Sequence, residues 1–309
     1  MVPFRSILVP LDGSALAEKS LTPALHLAKA MAARAGDTRV RLVLLRVVGP
    51  VALVAADPML YDELMRMGVD EAQSYLRAVV ETVDAGPVQV EVQAVSGAPA
   101  DAIVRYAEEH DVDLIVMSSH GRTGSSRWVY GSVAEKVLHH APCATVIIRA
   151  HVAVAMFQNR KILVPLDGSP LAERALEPAL AIAEAVQSDM TLLRVASGRE
   201  PLPQSMSPSG EDLGVARDIA AAQERAEAEA YLQRIYSARA NRHLFFDVVT
   251  TGGDIADAIV SYADERHMDL IVISSHGRSG IGRWLHGSVA EKVLRGADCA
   301  TLIIRGALP

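Results

Sequence analysis

The sequence predicts an α/β protein built of two similar halves, each with a parallel sheet covered by helices on both faces. Short apolar runs alternate with longer segments of helical periodicity, which is the order typical of parallel sheets with right-handed crossovers. The pattern occurs twice, because the segments that start at Gly97 and Gly253 align without a gap and are identical at most positions. Apolar residues make up 50% of the 309 residues and aromatic residues only 4%, which suits helices packed on parallel sheets.

Each half begins with a short apolar strand that stops at a proline and passes through Asp-Gly-Ser into a helix. These starts lie in Arg5–Ser14 and Lys161–Ser169, and the helices are predicted at Ala15–Arg34 and Leu171–Gln187. Asp-Gly-Ser is a helix-capping sequence. The other strands are predicted at Val40–Val48, Val88–Val95, Leu114–Met117, Ala144–Arg149, Met190–Val195, Leu244–Thr250, Leu270–Ile273 and Ala300–Arg305, and the other helices at Met59–Thr82, Ala100–Glu109, Ser132–Leu138, Val215–Ala240, Ala256–Glu265 and Ser288–Leu294.

The length suits two domains of ordinary size, predicted at residues 1–150 and 157–309. The interval from His151 to Gln158 joins them and is apolar rather than glycine-rich. We therefore expect this linker to pack against the domains rather than to swing freely.

Charge and cysteine content exclude several classes of protein. The formal net charge is −7, so the chain lacks the basic surface that nucleic acids require. Its two cysteines, Cys143 and Cys299, hold equivalent positions, which argues against a disulfide framework and predicts a cytoplasmic protein with both thiols in the core. No run of about 18 apolar residues occurs, so membrane insertion is not expected.

A glycine-containing loop follows the fourth strand of each half. In the first half, Ser118–Arg122 follows an apolar run, and Gly131-Ser132 opens the next helix; Ser274–Arg278 and Gly287-Ser288 repeat this arrangement. Glycine lets a backbone approach a ligand closely, and the free amides of a helix N-terminus favour an anion, typically phosphate. Ligands in such sheets lie where strand order reverses, which is between the first and fourth strands here.

The two aspartates that follow the first strands have two compatible interpretations. Asp12 and Asp167 could accept a hydrogen bond from a ribose hydroxyl or reach a metal ion. They could equally serve the helix cap that Asp-Gly-Ser forms. The sequence leaves both roles open.

These segments resemble the universal stress protein family, as a tandem pair that covers nearly the whole chain. The family's nucleotide motif is Gly-x-x-Gly, nine residues, then Gly-Ser or Gly-Thr. Gly121, nine residues and Gly131-Ser132 match its last elements, and Gly277, nine residues and Gly287-Ser288 match again. Ser118 and Ser274 replace the first motif glycine, and their hydroxyls could donate to a phosphate or a ribose.

The resemblance implies a fold, a ligand and a set of binding residues. Each half would be a Rossmann-like domain of the adenine nucleotide alpha hydrolase type, with a five-stranded sheet of order 3-2-1-4-5, and the last strands of the halves would pair as in a homodimer. The ligand implied is ATP with Mg²⁺ or Mn²⁺ on its phosphates. The residues implied to bind it are Pro10, Leu11, Asp12, Val47, Met117, Ser118, His120, Gly121, Arg122, Gly131, Ser132 and Val133 in the first half, and Pro165, Leu166, Asp167, Val195, Ile273, Ser274, His276, Gly277, Arg278, Gly287, Ser288 and Val289 in the second.

Three functions remain open at this point. The first is a nucleotide-dependent stress-response or signalling protein that acts on an unknown protein partner. The second is a slow ATPase, although the chain lacks a Gly-x-x-x-x-Gly-Lys-Ser/Thr loop, and we assign His120 and His276 no catalytic role. The third is an interaction module without nucleotide. The sequence predicts no catalytic residue and no metal cluster of its own, and it leaves the oligomeric state open, a homodimer included.

Overall fold

The structure is a computed structural model that describes residues 4–35, 40–50, 58–119, 131–149, 157, 160–197, 210–239, 243–275 and 288–305. The first half contains β1 (Ser6–Pro10), α1 (Ala15–Glu18), α2 (Leu21–Ala35), β2 (Arg41–Val48), α3 (Pro58–Glu81), β3 (Gln89–Ser96), α4 (Pro99–Glu109), β4 (Leu114–Ser118), α5 (Ser132–His140) and β5 (Ala144–Ile148). The second half contains β6 (Lys161–Pro165), α6 (Pro170–Glu173), α7 (Leu176–Val186), β7 (Asp189–Ala196), α8 (Gly210–Arg239), β8 (Leu244–Thr250), α9 (Ile255–Glu265), β9 (Leu270–Ser275), α10 (Ser288–Gly296) and β10 (Ala300–Arg305).

The strands of the described residues form one sheet in the order β3-β2-β1-β4-β5-β10-β9-β6-β7-β8. All neighbouring strands within each half are parallel. The predicted α/β fold, with order 3-2-1-4-5 in each half, is therefore confirmed. No helix in the described part of the chain is both long enough and apolar enough to cross a membrane.

The first helix predicted in each half is wrong, because the structure has two helices there. Pro23 and Pro178 each stand third in the longer helix that follows the break, α2 or α7. Proline has no backbone N–H and is tolerated only in the first turn of a helix, so a new helix has to begin just before it. In the first half, the Ser20 hydroxyl also donates to the Ala17 carbonyl at 2.6 Å, which satisfies an end of α1.

The sheet buries both of its faces. In β1, Ile7 and Val9 belong to one core and Leu8 to the other, because successive side chains of a strand point to opposite faces. Helices α2, α3, α7 and α8 cover the first face, and α4, α5, α9 and α10 cover the second. Burial on both sides explains why the central strands are almost uninterrupted apolar runs.

The last strands of the two halves join the sheet into one unit. β5 and β10 pair antiparallel, with Val146 opposite Leu302. Each of these strands would otherwise leave an unpaired row of backbone groups at an edge. The described linker residue Phe157 is buried and stacks on His26 with 5.6 Å between ring centroids, and the remainder of the linker prediction falls outside the described residues.

Two arginines at the ends of these strands reach across the interface in opposite directions. Arg305, at the end of β10, donates to the carbonyls of His139 at 3.0 Å and Ala141 at 3.3 Å, at the C-terminus of α5. Arg149, just after β5, donates to the carbonyls of Leu294 at 3.2 Å and Arg295 in the last turn of α10. A cation there satisfies carbonyls that the helix leaves unpaired and suits the negative end of its dipole. Each half thus caps a helix of the other.

We predict that Arg305→Met lowers the free energy of unfolding by about 1.5–3 kcal/mol, the usual contribution of a hydrogen bond that involves a charged group. The methionine keeps the apolar stem and removes the donors to the carbonyls at the end of α5. Urea unfolding monitored by circular dichroism measures the change. Arg225→Met is the control, because Arg225 forms an exposed pair with Glu229 on α8. Equal losses in the two variants would contradict the capping role.

Both cysteines lie in the core, as predicted. Burial raises the pKa of Cys143 and that of Cys299 from 9.0 to about 12. A nearby carboxylate adds to the rise in each case, Asp113 for Cys143 and Asp264 for Cys299. Between pH 9.0 and about pH 12, the unfolded chain releases thiol protons that the folded chain keeps. The two thiols therefore lower the free energy of unfolding as the pH rises through that range.

We predict that the folded chain reacts with iodoacetamide at pH 8 at a rate on the order of a thousandfold below that of the urea-unfolded chain, because only the thiolate is nucleophilic. Mass spectrometry of the labelled protein over time measures both rates. Rapid labelling of the folded chain would show that the thiols are accessible and would contradict their placement.

Candidate nucleotide-binding site

A cavity of about 470 Å³ lies at the carboxyl ends of β1, β2 and β4. β1 lies between β2 and β4, so the cavity is where strand order reverses, the usual place for a ligand in an open parallel sheet. Its residues come from these strand ends, from the turn after β1, and from α1, α3, α4 and the start of α5. They are Pro10, Leu11, Asp12, Ala17, Leu45, Arg46, Val47, Val48, Gly49, Gly68, Glu71, Pro99, Ile103, Met117, Ser118, Ser119, Gly131, Ser132, Val133 and Ala134.

Much of the cavity wall is apolar. Leu11, Ile103 and Met117 are buried residues that reach it from different parts of the fold. Val47 and Val133 pack against the core that contains Ile103 and Met117. An apolar wall with a few polar groups is typical of a site for a small organic molecule.

The N-terminus of α5 forms one side of the cavity. Gly131 is the residue before the helix and provides no side-chain cap, and its own amide donates to the Ser119 carbonyl at 2.9 Å. The Ser119 amide in turn donates to the Ile148 carbonyl at 2.9 Å, which ties this corner to β5. The first amides of a helix have no partner within it, so those of Ser132 and Val133 can donate to an anion in the cavity.

Asp12 holds the turn that follows β1. Its Oδ1 atom accepts hydrogen bonds from the Ser14 amide at 2.9 Å and the Ser14 hydroxyl at 2.6 Å. The Ser14 hydroxyl oxygen accepts from the Ala17 amide at 3.1 Å and so caps α1. The capping residue is therefore Ser14, which Asp12 orients, while Asp12 itself lines the cavity.

Arg46, Tyr75 and Glu18 form a polar cluster behind this turn. The Arg46 guanidinium lies 4.5 Å from the centre of the Tyr75 ring, and the Tyr75 hydroxyl donates to Glu18 Oε1 at 2.6 Å. Burial and the bond to Glu18 raise the pKa of Tyr75, so it remains a neutral donor. The cluster joins β2, α3 and α1 and thereby fixes three walls of the cavity.

The second half repeats this cluster. Arg194 lies 5.8 Å from the centre of the Tyr231 ring, whose hydroxyl donates to Glu173 at 3.0 Å. Asp167 accepts from the Ser169 amide at 2.8 Å. Burial acts to raise the pKa of Asp167, but the bonds from Ser169 and the charge of Arg194 outweigh it and lower that pKa.

The structure brings nine of the predicted first-half residues together around the cavity. They are Pro10, Leu11, Asp12, Val47, Met117, Ser118, Gly131, Ser132 and Val133. In the second half, Pro165, Leu166, Val195 and Ile273 are buried at equivalent strand ends, Asp167 is exposed, Ser274 is half-buried and Ser288 begins α10, followed by Val289. The predictions for His120, Gly121, Arg122, His276, Gly277, Arg278 and Gly287 fall outside the described residues.

Sequence reasoning missed the contribution of α3 and α4. Gly68 and Glu71 line the cavity from α3, and Pro99 and Ile103 line it from α4. The repetition of Arg46 as Arg194 and of Tyr75 as Tyr231 was the available signal for the cluster. No local pattern marks Gly68, because its place depends on how α3 packs on β2.

Comparison with known proteins gives a consistent result. The family model described as the universal stress protein family matches residues 3–149 and again residues 158–305. A universal stress protein of Mycobacterium tuberculosis is 27% identical over 308 residues, which cover 93% of this chain and 94% of that protein. One of Methanocaldococcus jannaschii is 30% identical over 148 residues, 47% of this chain and 82% of that protein. The crystal structure of a universal stress protein from Archaeoglobus fulgidus has the same fold, with a TM-score of 0.67, 21% identity and coverage of 97% and 98% of the two chains.

We predict that Gly13→Ala lowers the free energy of unfolding by about 1–2 kcal/mol, the cost of a left-handed backbone for a residue with a Cβ atom. Gly13 has φ +82°, and a Cβ there would lie 2.8 Å from an Arg46 guanidinium nitrogen. Urea unfolding provides the measurement. Gly252→Ala is the control, because a Cβ at Gly252 meets no atom within 4 Å. If the two variants are equally stable, the turn does not need its glycine.

Proposed function

The chain belongs to the universal stress protein family, and we propose that its first half binds ATP in the cavity, with Mg²⁺ or Mn²⁺ on the phosphates. The observation that carries the proposal is the convergence of nine expected residues on one cavity, beside a helix N-terminus without a side-chain cap. In this proposal the protein acts as a nucleotide-dependent stress-response or signalling protein.

The chemistry of the cavity wall fits the three parts of ATP. The apolar surfaces of Val47, Ile103 and Met117 suit the purine ring, and the Asp12 carboxylate suits a ribose hydroxyl. The amides at the start of α5 suit the phosphates, since the helix dipole adds to their attraction for an anion. A volume of about 470 Å³ is within the range of small-molecule sites.

The proposal assigns the cation to the phosphates of the ligand. Among the residues that the structure describes, no group of three or more His, Cys, Asp and Glu side chains is placed to hold a metal ion. Mg²⁺ is commonly bound through substrate phosphates and one or two protein carboxylates. Asp12, which lines the cavity, is the carboxylate that we assign to this contact, directly or through water.

A signalling role follows if the partner distinguishes the loaded from the empty site. ATP can shift the protein only between states that it binds with different affinity. The strand ends, α3 and α5 all contribute to the cavity, so bound ATP would hold these elements at one spacing. A partner that docks over the carboxyl ends of the strands would sense that spacing.

We predict that Gly131→Asp lowers the affinity of the first half for MgATP by more than about tenfold, which is 1.4 kcal/mol of binding free energy. The new carboxylate would lie at the N-terminus of α5 and repel the phosphates. Gly131 has φ −61°, which any residue can adopt, and aspartate is a favoured N-cap, so the fold should be at least as stable.

Isothermal titration calorimetry with MgATP measures the effect, and Gly131→Asn is the matched control. Asparagine has the same size and capping ability without the charge. Equal affinity of the aspartate variant and the parent chain would place the phosphates elsewhere.

A further inference from the structure

The two halves differ at one helix position that faces the end of the second strand. Ala72 and Leu76 of α3 correspond to Ala228 and Leu232 of α8, and all four are buried. With the same alignment, Gly68 corresponds to Glu224. In the preceding strands, Arg46 corresponds to Arg194, which aligns Gly49 with Ser197.

In the first half both of these positions are glycines beside the cavity. Gly68 and Gly49 both line it. A Cβ atom on Gly68 would lie 3.0 Å from a methyl group of Val48, so any side chain there would press on the cavity wall. Val47 and Val48 at the end of β2 are half-buried and line the cavity with the glycines.

In the second half a carboxylate stands over the same strand end. Glu224 Oε1 accepts hydrogen bonds from the Ser197 amide at 2.9 Å and the Ser197 hydroxyl at 3.3 Å. We call this pair the Glu224 latch. Val195 and Ala196, the counterparts of Val47 and Val48, are 9% and 0% exposed. The wall that is open to the first-half cavity is therefore covered in the second half.

A second contact lies at the end of β9, which is on the other side of β6 from β7. The Ser274 hydroxyl, at the end of β9, donates to the Leu171 carbonyl in α6. Its counterpart Ser118 lines the first-half cavity. Pro165 is buried, whereas its counterpart Pro10 is half-buried and also lines the cavity. The ends of β7 and β9 are thus contacted by residues of the second half itself, and Pro165 at the end of β6 is buried.

We propose that the Glu224 latch confines MgATP binding to the first half. This inference rests on the proposed function, because it concerns the same ligand. A nucleotide that entered the second half would have to displace the carboxylate from two donors. It would also bring its own negative charge close to the carboxylate, and like charges in a partly buried site repel strongly. In the first half glycine stands at both of these positions, so no carboxylate occupies this place over the end of β2, although Asp12 and Glu71 line the cavity elsewhere.

The test uses the full chain with the first half disabled by Gly131→Asp, so that only the second half can bind. We expect this chain to show no MgATP binding by calorimetry, and we expect the added Glu224→Ala substitution to restore about one site per chain. Glu224→Gln in the same background keeps the size of the side chain and removes its charge. It should restore binding only in part, with an affinity at least about tenfold below that of the alanine variant.

Glu229→Ala is the control, because Glu229 lies on α8 in an exposed pair with Arg225 and should restore nothing. Circular dichroism of every variant establishes that it is folded. Binding by the Gly131→Asp chain with Glu224 in place would overturn the latch and leave the proposed function standing. Failure of Glu224→Ala to restore a site in a folded chain would also overturn the latch. If the parent chain itself bound no MgATP, the proposed function would fail, and this inference with it.

Discussion

The antiparallel pairing of β5 with β10 is the contact on which the rest of the structure depends. It brings Leu294 and Ile303 of the second half into the core that contains Ile115 and Met117 of the first. It also places Arg305 at the C-terminus of α5, whose N-terminus reaches the cavity. Because an α-helix is stiff over such a short length, the position of those amides is supported by a residue of the other half. The site in the first half is therefore a property of the joined chain.

A polar cluster fixes the cavity walls where apolar packing ends. In each half, an arginine of the second strand lies beside the turn glycine and over a tyrosine of the long helix, and that tyrosine bonds to a glutamate. These contacts have direction, unlike apolar contacts, so they determine the spacing between strand end, turn and helix. The space beside this cluster depends on the residue two turns before the tyrosine on the long helix, which is Gly68 in the first half and Glu224 in the second.

The sequence and the resemblance predicted the sheet order, helices on both faces of the sheet and nine of the residues that line the cavity, because those depend on short patterns. A short apolar run between two amphipathic helices has few structural alternatives to a buried parallel strand. Asp12 and Gly131 lie in local motifs that follow two such strands at the same end of the sheet. Three features of the structure could not be predicted from the sequence, for physical reasons. The break before Pro23 interrupts a segment whose apolar residues keep helical spacing throughout, and that spacing predicts one continuous helix. Arg305 and Gly68 carry no local signal, since each acts through an element distant in sequence.

A tandem chain can change one site while it keeps the architecture, which a homodimer cannot do because every substitution there occurs twice. The positions that hold the architecture are the same in both halves, such as Tyr75 and Tyr231 or Arg149 and Arg305. The positions that differ, Gly68 with Glu224 and Gly49 with Ser197, lie over the strand end and contribute no core side chain. A glutamate at the surface of α8 can therefore close one strand end without loosening the interface, since the capping arginines and paired strands lie at the other edge of each half. This separation between a shared framework and a variable cover is what the proposed difference in nucleotide binding between the two halves requires.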